Sequence, residues 1–209
     1  RGKEWLRLNL LFLAQRKTFQ KASGLICLSE YAKNFLIQYH SQIVTQIPVQ
    51  LIAHGTKCVQ DHNVLHNYTS SNQENPLRLL YVSTVKKYKH QWNLIDAVGL
   101  LRKEGIAIEL HLIGGGDPKA SELMRSAIKR NDSQQKYIFY HGNLSYEETL
   151  EWYHKVNMFV FPSTCETFGI SLLEAMTAGL PIASSDRGPM PEVLKDAGLY
   201  FNPESIISI

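Results

Sequence analysis

The sequence predicts an α/β protein: a parallel sheet with helices on both faces, preceded by part of a second, smaller α/β domain. Three observations predict it. From residue 77 onward, short apolar runs alternate with longer amphipathic stretches, as strands joined by helical crossovers do. Before that, two further apolar runs each follow a helical stretch. Between the two regions, residues 56–76 (TKCVQDHNVLHNYTSSNQENP) are polar and mostly aperiodic, which suits a linker. The expected division is a first-domain remnant at 1–60, a linker at 61–76 and a main domain at 77–209.

Taken in order, residues 3–22 read as a helix in which Lys3, Arg7, Arg16, Lys17 and Lys21 stand among Trp5, Leu6, Leu8, Leu10, Leu11 and Phe12. Such a helix can lie on an anionic membrane or pack on a neighbouring layer. Leu25–Leu28 is a short strand, Ser29 caps a helix through Gln38, and 50–53 is another strand closed by His54–Gly55. The main domain then predicts strand 78–83, helix 91–104, strand 107–113, helix 118–130, strand 137–141 and helix 146–155. It continues with strand 157–161, helix 168–178, strand 181–184, helix 190–195 and strand 198–201. This alternation is Rossmann-like, a nucleotide-binding architecture.

The stretch from Met158 to Pro189, MFVFPSTCETFGISLLEAMTAGLPIASSDRGP, organises the main domain. A strand run ends at Pro162, which cannot donate to a sheet ladder. A polar loop carries Glu166, and a helix with Leu172, Leu173, Ala175 and Met176 on its apolar stripe carries Glu174. Helix N-terminal amides at Phe168, Gly169 and Ile170 can face a phosphate, while the carboxylates can accept from hydroxyls. That combination suits a diphosphate flanked by sugars. From spacing alone, a surface carboxylate in a loop and another on an ordinary helix are the favoured explanation of the pair.

Composition narrows the classes. Of 209 residues, 44% are hydrophobic and 20% charged, ordinary for a protein with a real core. A net charge of +3 is too mild to point to nucleic acid. Cys27, Cys58 and Cys165 form neither a metal pattern nor a disulfide framework, which favours a reducing, cytoplasmic setting. No apolar run reaches the roughly 18 residues a bilayer span needs, and the N-terminus makes a poor signal peptide. An opening on Arg1 rather than Met reads as a fragment. His54, His90, His111, His141 and His154 read as hydrogen-bonded structural histidines, without zinc-site spacing.

Glu166, seven intervening residues and Glu174, inside ETFGISLLEAMTAGLPIASS, resemble the E-x7-E signature of retaining GT-B glycosyltransferases, most closely family 4. GPMPEVLKDAGLYFNP is similar to the segment that follows in that family, and FQKASGLICLSEYAKNFL with LIAHG resembles the end of its acceptor-side domain. The resemblance implies a nucleotide-diphosphate sugar as donor and a saccharide or lipid-linked acceptor. It implies no metal or other cofactor, a role in polysaccharide or glycoconjugate synthesis, and work in the cytoplasm or against the inner face of the membrane. Glu174 would take the ribose hydroxyls and Glu166 the donor sugar hydroxyls.

Three loops would complete the donor site. In Ser83–His90, Lys89 falls on the family's diphosphate-binding lysine, but Thr84 stands where arginine is usual and Ser83 where glycine is usual. Gly115, within Gly114–Asp117, would line the cleft, and the segment holding Asn143 and Leu144 would meet the base through backbone groups. Half of the cationic clamp is therefore absent. That departure keeps open a catalytically degenerate partner that only binds the donor. A GT-B-type epimerase is a further alternative. A glycosidase fits less well, because eight residues of mostly helical rise separate the carboxylates by about 12 Å, against roughly 5–9.5 Å in hydrolases.

Overall fold

Two separate parallel sheets carry the chain, one in each of two compact units, residues 1–54 and 55–209. The computed structural model describes residues 2–56 and 72–209. Most of the expected linker, and Cys58, lie outside the described residues.

The first unit consists of α1 (Gly2–Lys21), β1 (Leu25–Cys27), α2 (Glu30–Val44) and β2 (Val49–Leu51). The two strands pair in parallel, Leu25 opposite Val49 and Cys27 opposite Leu51. Ser29 caps α2 by accepting from the Ala32 amide at 3.0 Å. The helix runs six residues beyond the expected end at Gln38, across a kink at His40 (φ −137°, ψ 33°). The packing accounts for this: the His40 ring stacks on Phe12 at 5.1 Å and meets the edge of Phe19 at 5.2 Å. Trp5, Leu6, Leu8, Leu10, Leu11 and Leu13 of α1 are exposed. Among the described residues, no helix is long and apolar enough to cross a membrane.

The second unit alternates strand and helix: β3 (Leu77–Val82), α3 (Gln91–Lys103), β4 (Ile108–Ile113), α4 (Pro118–Asn131), β5 (Ile138–Gly142) and α5 (Tyr146–Lys155). It continues through β6 (Met158–Phe161), α6 (Ile170–Thr177), β7 (Ile182–Ser185), α7 (Met190–Leu194) and β8 (Leu199–Phe201). Six strands pair in parallel in the order β5-β4-β3-β6-β7-β8. This is the Rossmann-like sheet that the alternation predicts. Leu80, Leu110, Phe159 and Leu172 are fully buried in its core. The winding runs outward from β3 through β4 to β5, then returns to β6 on the other side of β3. Strand order therefore reverses between β3 and β6, and the crevice at that reversal is where such sheets hold ligands.

Helix ends follow local chemistry. Asp117 accepts from the amides of Lys119 (3.0 Å) and Ala120 (3.1 Å) to start α4. Ser145 and Glu148 form a capping box on α5. One expected boundary moves. A helix from 168 is expected, but α6 begins at Ile170, because Gly169 is left-handed (φ 94°) and the Phe168 side chain is buried ahead of it. The first-turn amides thus include those of Ile170 and Ser171, and Phe168 contributes core rather than helix.

Two of the histidines differ in part from expectation, while His90 meets it, its Nε2 lying 3.1 Å from Thr164 Oγ1. His111 Nδ1 lies 3.1 Å from His141 Nε2, but His111 Nε2 and His154 Nδ1 are buried without a hydrogen-bond partner. His111 is held mainly by rings, stacked on Phe139 at 5.1 Å and against Trp152 at 4.6 Å. Burial, then neighbouring His141 and Arg78, lower its pKa from 6.5 to about 4. The unfolded chain takes up this proton near pH 6.5 and the folded chain only near 4, so stability is lost as pH falls through that window. Thermal melts from pH 7 to 4 should show a shallower acid decline in His111→Phe than in the parent. An identical decline would remove His111 as its cause.

Candidate functional site

The loop after β3 is pinned from several sides. Tyr81 Oη donates to the Lys89 carbonyl at 2.9 Å, and Gln91 Nε2 donates to the Thr84 carbonyl at 3.1 Å. The Thr164 amide donates to the Tyr88 carbonyl at 2.8 Å, tying this loop to the one after β6. A 3₁₀ turn over Lys87–Lys89 then drives Lys89 inward while Lys86 and Lys87 stay exposed. The Lys89 ammonium lies over the rings of Tyr88 (5.6 Å) and Phe161 (5.7 Å). It forms an ion pair with Glu166 Oε1, the two side chains being only 11% and 16% exposed. Two residues expected to grip different parts of a ligand therefore hold each other.

Glu174 sits one turn into α6 and is half-buried. Tyr153 Oη of α5 donates to its Oε2 at 2.9 Å. Burial raises the Glu174 pKa, and the bond from Tyr153 works against that rise. The phenol itself is pushed far above its usual range, chiefly by burial and then by Glu174, so it remains a donor.

These groups border one cavity of about 450 Å³ at the strand-order reversal. Of the residues the sequence singles out, Ser83, Thr84, Lys89, Leu144, Glu166, Gly169, Ile170 and Glu174 line it. Gly115, Asn143 and Phe168 are not among the lining residues. The Gly115 amide donates to Asn143 Oδ1, joining the loops after β4 and β5. The glycine run there answers to packing: a Cβ on Gly114 would lie 2.2 Å from the Ser83 carbonyl oxygen, and one on Gly116 2.1 Å from that of Val85.

Sequence reasoning misses Tyr146 and Thr149, which line the cavity, and Tyr153, which supports Glu174. A signal was present. Positions 146, 149 and 153 follow i, i+3, i+7 spacing, so α5 presents a hydroxyl-bearing stripe on one face. Ser171 and the apolar Val82 and Phe161 complete the lining without any distinguishing pattern. Among the described residues, no group of three or more His, Cys, Asp or Glu side chains is placed to hold a metal ion.

The sequence model of the family described as "Glycosyl transferases group 1" matches residues 68–209. The chain belongs to that family. O-antigen chain mannosyltransferase B of Escherichia coli is 30% identical over 130 residues, 62% of this chain and 34% of that protein. The serotype-specific mannosyltransferase WbdA of E. coli is 25% identical over 206 residues, 91% of this chain and 24% of that protein. The chain thus spans about a third or less of these curated group 1 relatives. Among solved structures, sucrose-phosphate synthase from Thermosynechococcus elongatus superposes with a TM-score of 0.74 at 22% identity, covering 94% of this chain and 49% of that one. Anabaena HepE, in complex with UDP and glucose, gives 0.70 at 17% identity, covering 90% and 51%. These likenesses bear out the GT-B type of fold expected from the E-x7-E segment.

Proposed function

We propose that the second unit binds a nucleotide-diphosphate sugar in this cavity, and that the enzyme transfers the sugar to an acceptor hydroxyl with retention of configuration. The observation that carries the reading is the convergence of Glu174, Glu166 and Lys89 on one cavity at the strand-order reversal. Glu174 accepts from the ribose hydroxyls and Glu166 from the sugar hydroxyls. Lys89 and the amides of Ile170 and Ser171 face the diphosphate. As the bond from the sugar's anomeric carbon to the diphosphate breaks, its electron pair leaves with the phosphate, and this cation and the helix terminus stabilise the growing charge.

For the Lys89–Glu166 pair, donor binding is an exchange of partners: phosphate oxygens replace the carboxylate at Lys89, and sugar hydroxyls replace the ammonium at Glu166. A uridine nucleotide is the first donor to test, given UDP in the HepE structure and UDP with GlcNAc in a pneumococcal O-GlcNAc transferase structure. A saccharide acceptor and polysaccharide synthesis accord with the O-antigen chain mannosyltransferase relative; a lipid-linked acceptor and a cytoplasmic or membrane-peripheral place belong to this reading through the family resemblance alone. A second reading, a partner that binds the donor without catalysis, draws on Thr84 at the expected arginine position and on a lysine already paired.

The test is a ligand-observed NMR screen of nucleoside diphosphates and nucleotide sugars, with and without chelator. Binding that survives chelation is expected, since Lys89 and the α6 amides carry the counter-charge. Loss of binding on chelation would overturn that assignment, and no binding at all would overturn the function.

A further inference from the structure

Tyr153 is 1% exposed, with its ring packed on Phe159 of β6 at 5.6 Å. Its hydroxyl has one proton and two acceptors in reach, Glu174 Oε2 at 2.9 Å and the Ser171 carbonyl at 3.3 Å. The shorter contact to the charged group takes the proton, because charge-assisted bonds are the stronger. This engages Oε2 from the core side and restricts a side chain that otherwise has three rotatable torsions. It also opposes the desolvation that disfavours the charged carboxylate.

We propose that Tyr153 is the positioning residue of the nucleotide site, fixing the Glu174 carboxylate ionised and aimed at the ribose. The inference rests on the ribose role given to Glu174 above. The other titratable groups around the cavity are Tyr146, which lies near Tyr153, and Lys89 and Glu166, which pair with each other. Among the described residues Tyr153 is the side chain that donates to Glu174, and so the lever on its charge and direction.

The test follows the Glu174 carboxyl by carbon-13 NMR titration in the parent chain, in Tyr153→Phe and in a chain carrying fluorotyrosine at 153. Phenylalanine keeps the ring and removes the donor, so the Glu174 midpoint should move up. Fluorotyrosine keeps the shape and donates more strongly, so the midpoint should move down even if Tyr153→Phe proves too unstable to titrate. In parallel, UDP, GDP and ADP are titrated by calorimetry. The dissociation constant of whichever binds should rise roughly three- to tenfold in Tyr153→Phe, the cost of one hydrogen bond, with the loss growing toward lower pH. An unmoved Glu174 midpoint in both variants overturns the proposal. If Glu174→Gln instead binds the nucleotides as the parent does, the ribose assignment fails, while the midpoints still decide whether Tyr153 governs Glu174.

Discussion

Glu174→Gln should weaken binding of every nucleoside diphosphate and nucleotide sugar by about one to two decades, the worth of a charge-assisted hydrogen bond of about 1.5–3 kcal/mol. The substitution is nearly isosteric, and its carbonyl can still accept from Tyr153, so the fold around α6 should persist. What changes is the acceptor offered to two ribose hydroxyls. Because burial raises the Glu174 pKa, the parent should lose affinity as pH falls and the carboxyl protonates, and Glu174→Gln should lose that dependence. Glu166→Gln should behave differently: near-parent affinity for the free diphosphate and weaker binding only with the sugar attached. Equal losses of free-diphosphate affinity in both variants would refute this division of roles.

Lys89→Ala should have the second large effect, in two readouts. Diphosphate affinity should fall by roughly one to two decades, because the other cationic side chains of that loop, Lys86 and Lys87, are exposed and outside the cavity lining. Stability should fall as well, since Glu166, only 16% exposed, loses its partner. Breaking a buried pair from one side can cost about 3–5 kcal/mol, and this pair, which retains some solvent contact, should cost less. The double variant Lys89→Met/Glu166→Gln separates the two effects: the melting temperature should recover and the affinity should not. Lys86→Ala and Lys87→Ala should bind as the parent does. Parent-like affinity in Lys89→Ala would remove that residue from the site.

The alternating strands and helices were legible because each βα unit carries its own period, and every strand of the main sheet falls within a residue or two of the expected place. The two glutamates were legible because their spacing lies within one strand–loop–helix unit. The Lys89–Glu166 pair was not: its members are 77 residues apart and meet only because β6 pairs with β3. Periodicity reveals strands but not their lateral order. Tyr153 escaped for a related reason, since it reads as core on an amphipathic helix, and its hydroxyl matters only once α5 lies beside α6. The glycines at 114 and 116 looked like a ligand-facing loop but are set by close approach to the backbone of Ser83 and Val85. The start of α6 shifted because a buried Phe168 and a left-handed Gly169 outweighed the helical pattern.

Mapping of backbone amide shifts during titration with a nucleotide sugar tests the central claim most directly. The predicted result is a contiguous set of perturbations at Ser83–Thr84, Lys89, Leu144–Tyr146 and Gly169–Ser171, around the cavity that Glu166 and Glu174 share. Shifts centred on His111, His141 and Trp152, or confined to the first unit around Phe12 and His40, would contradict it.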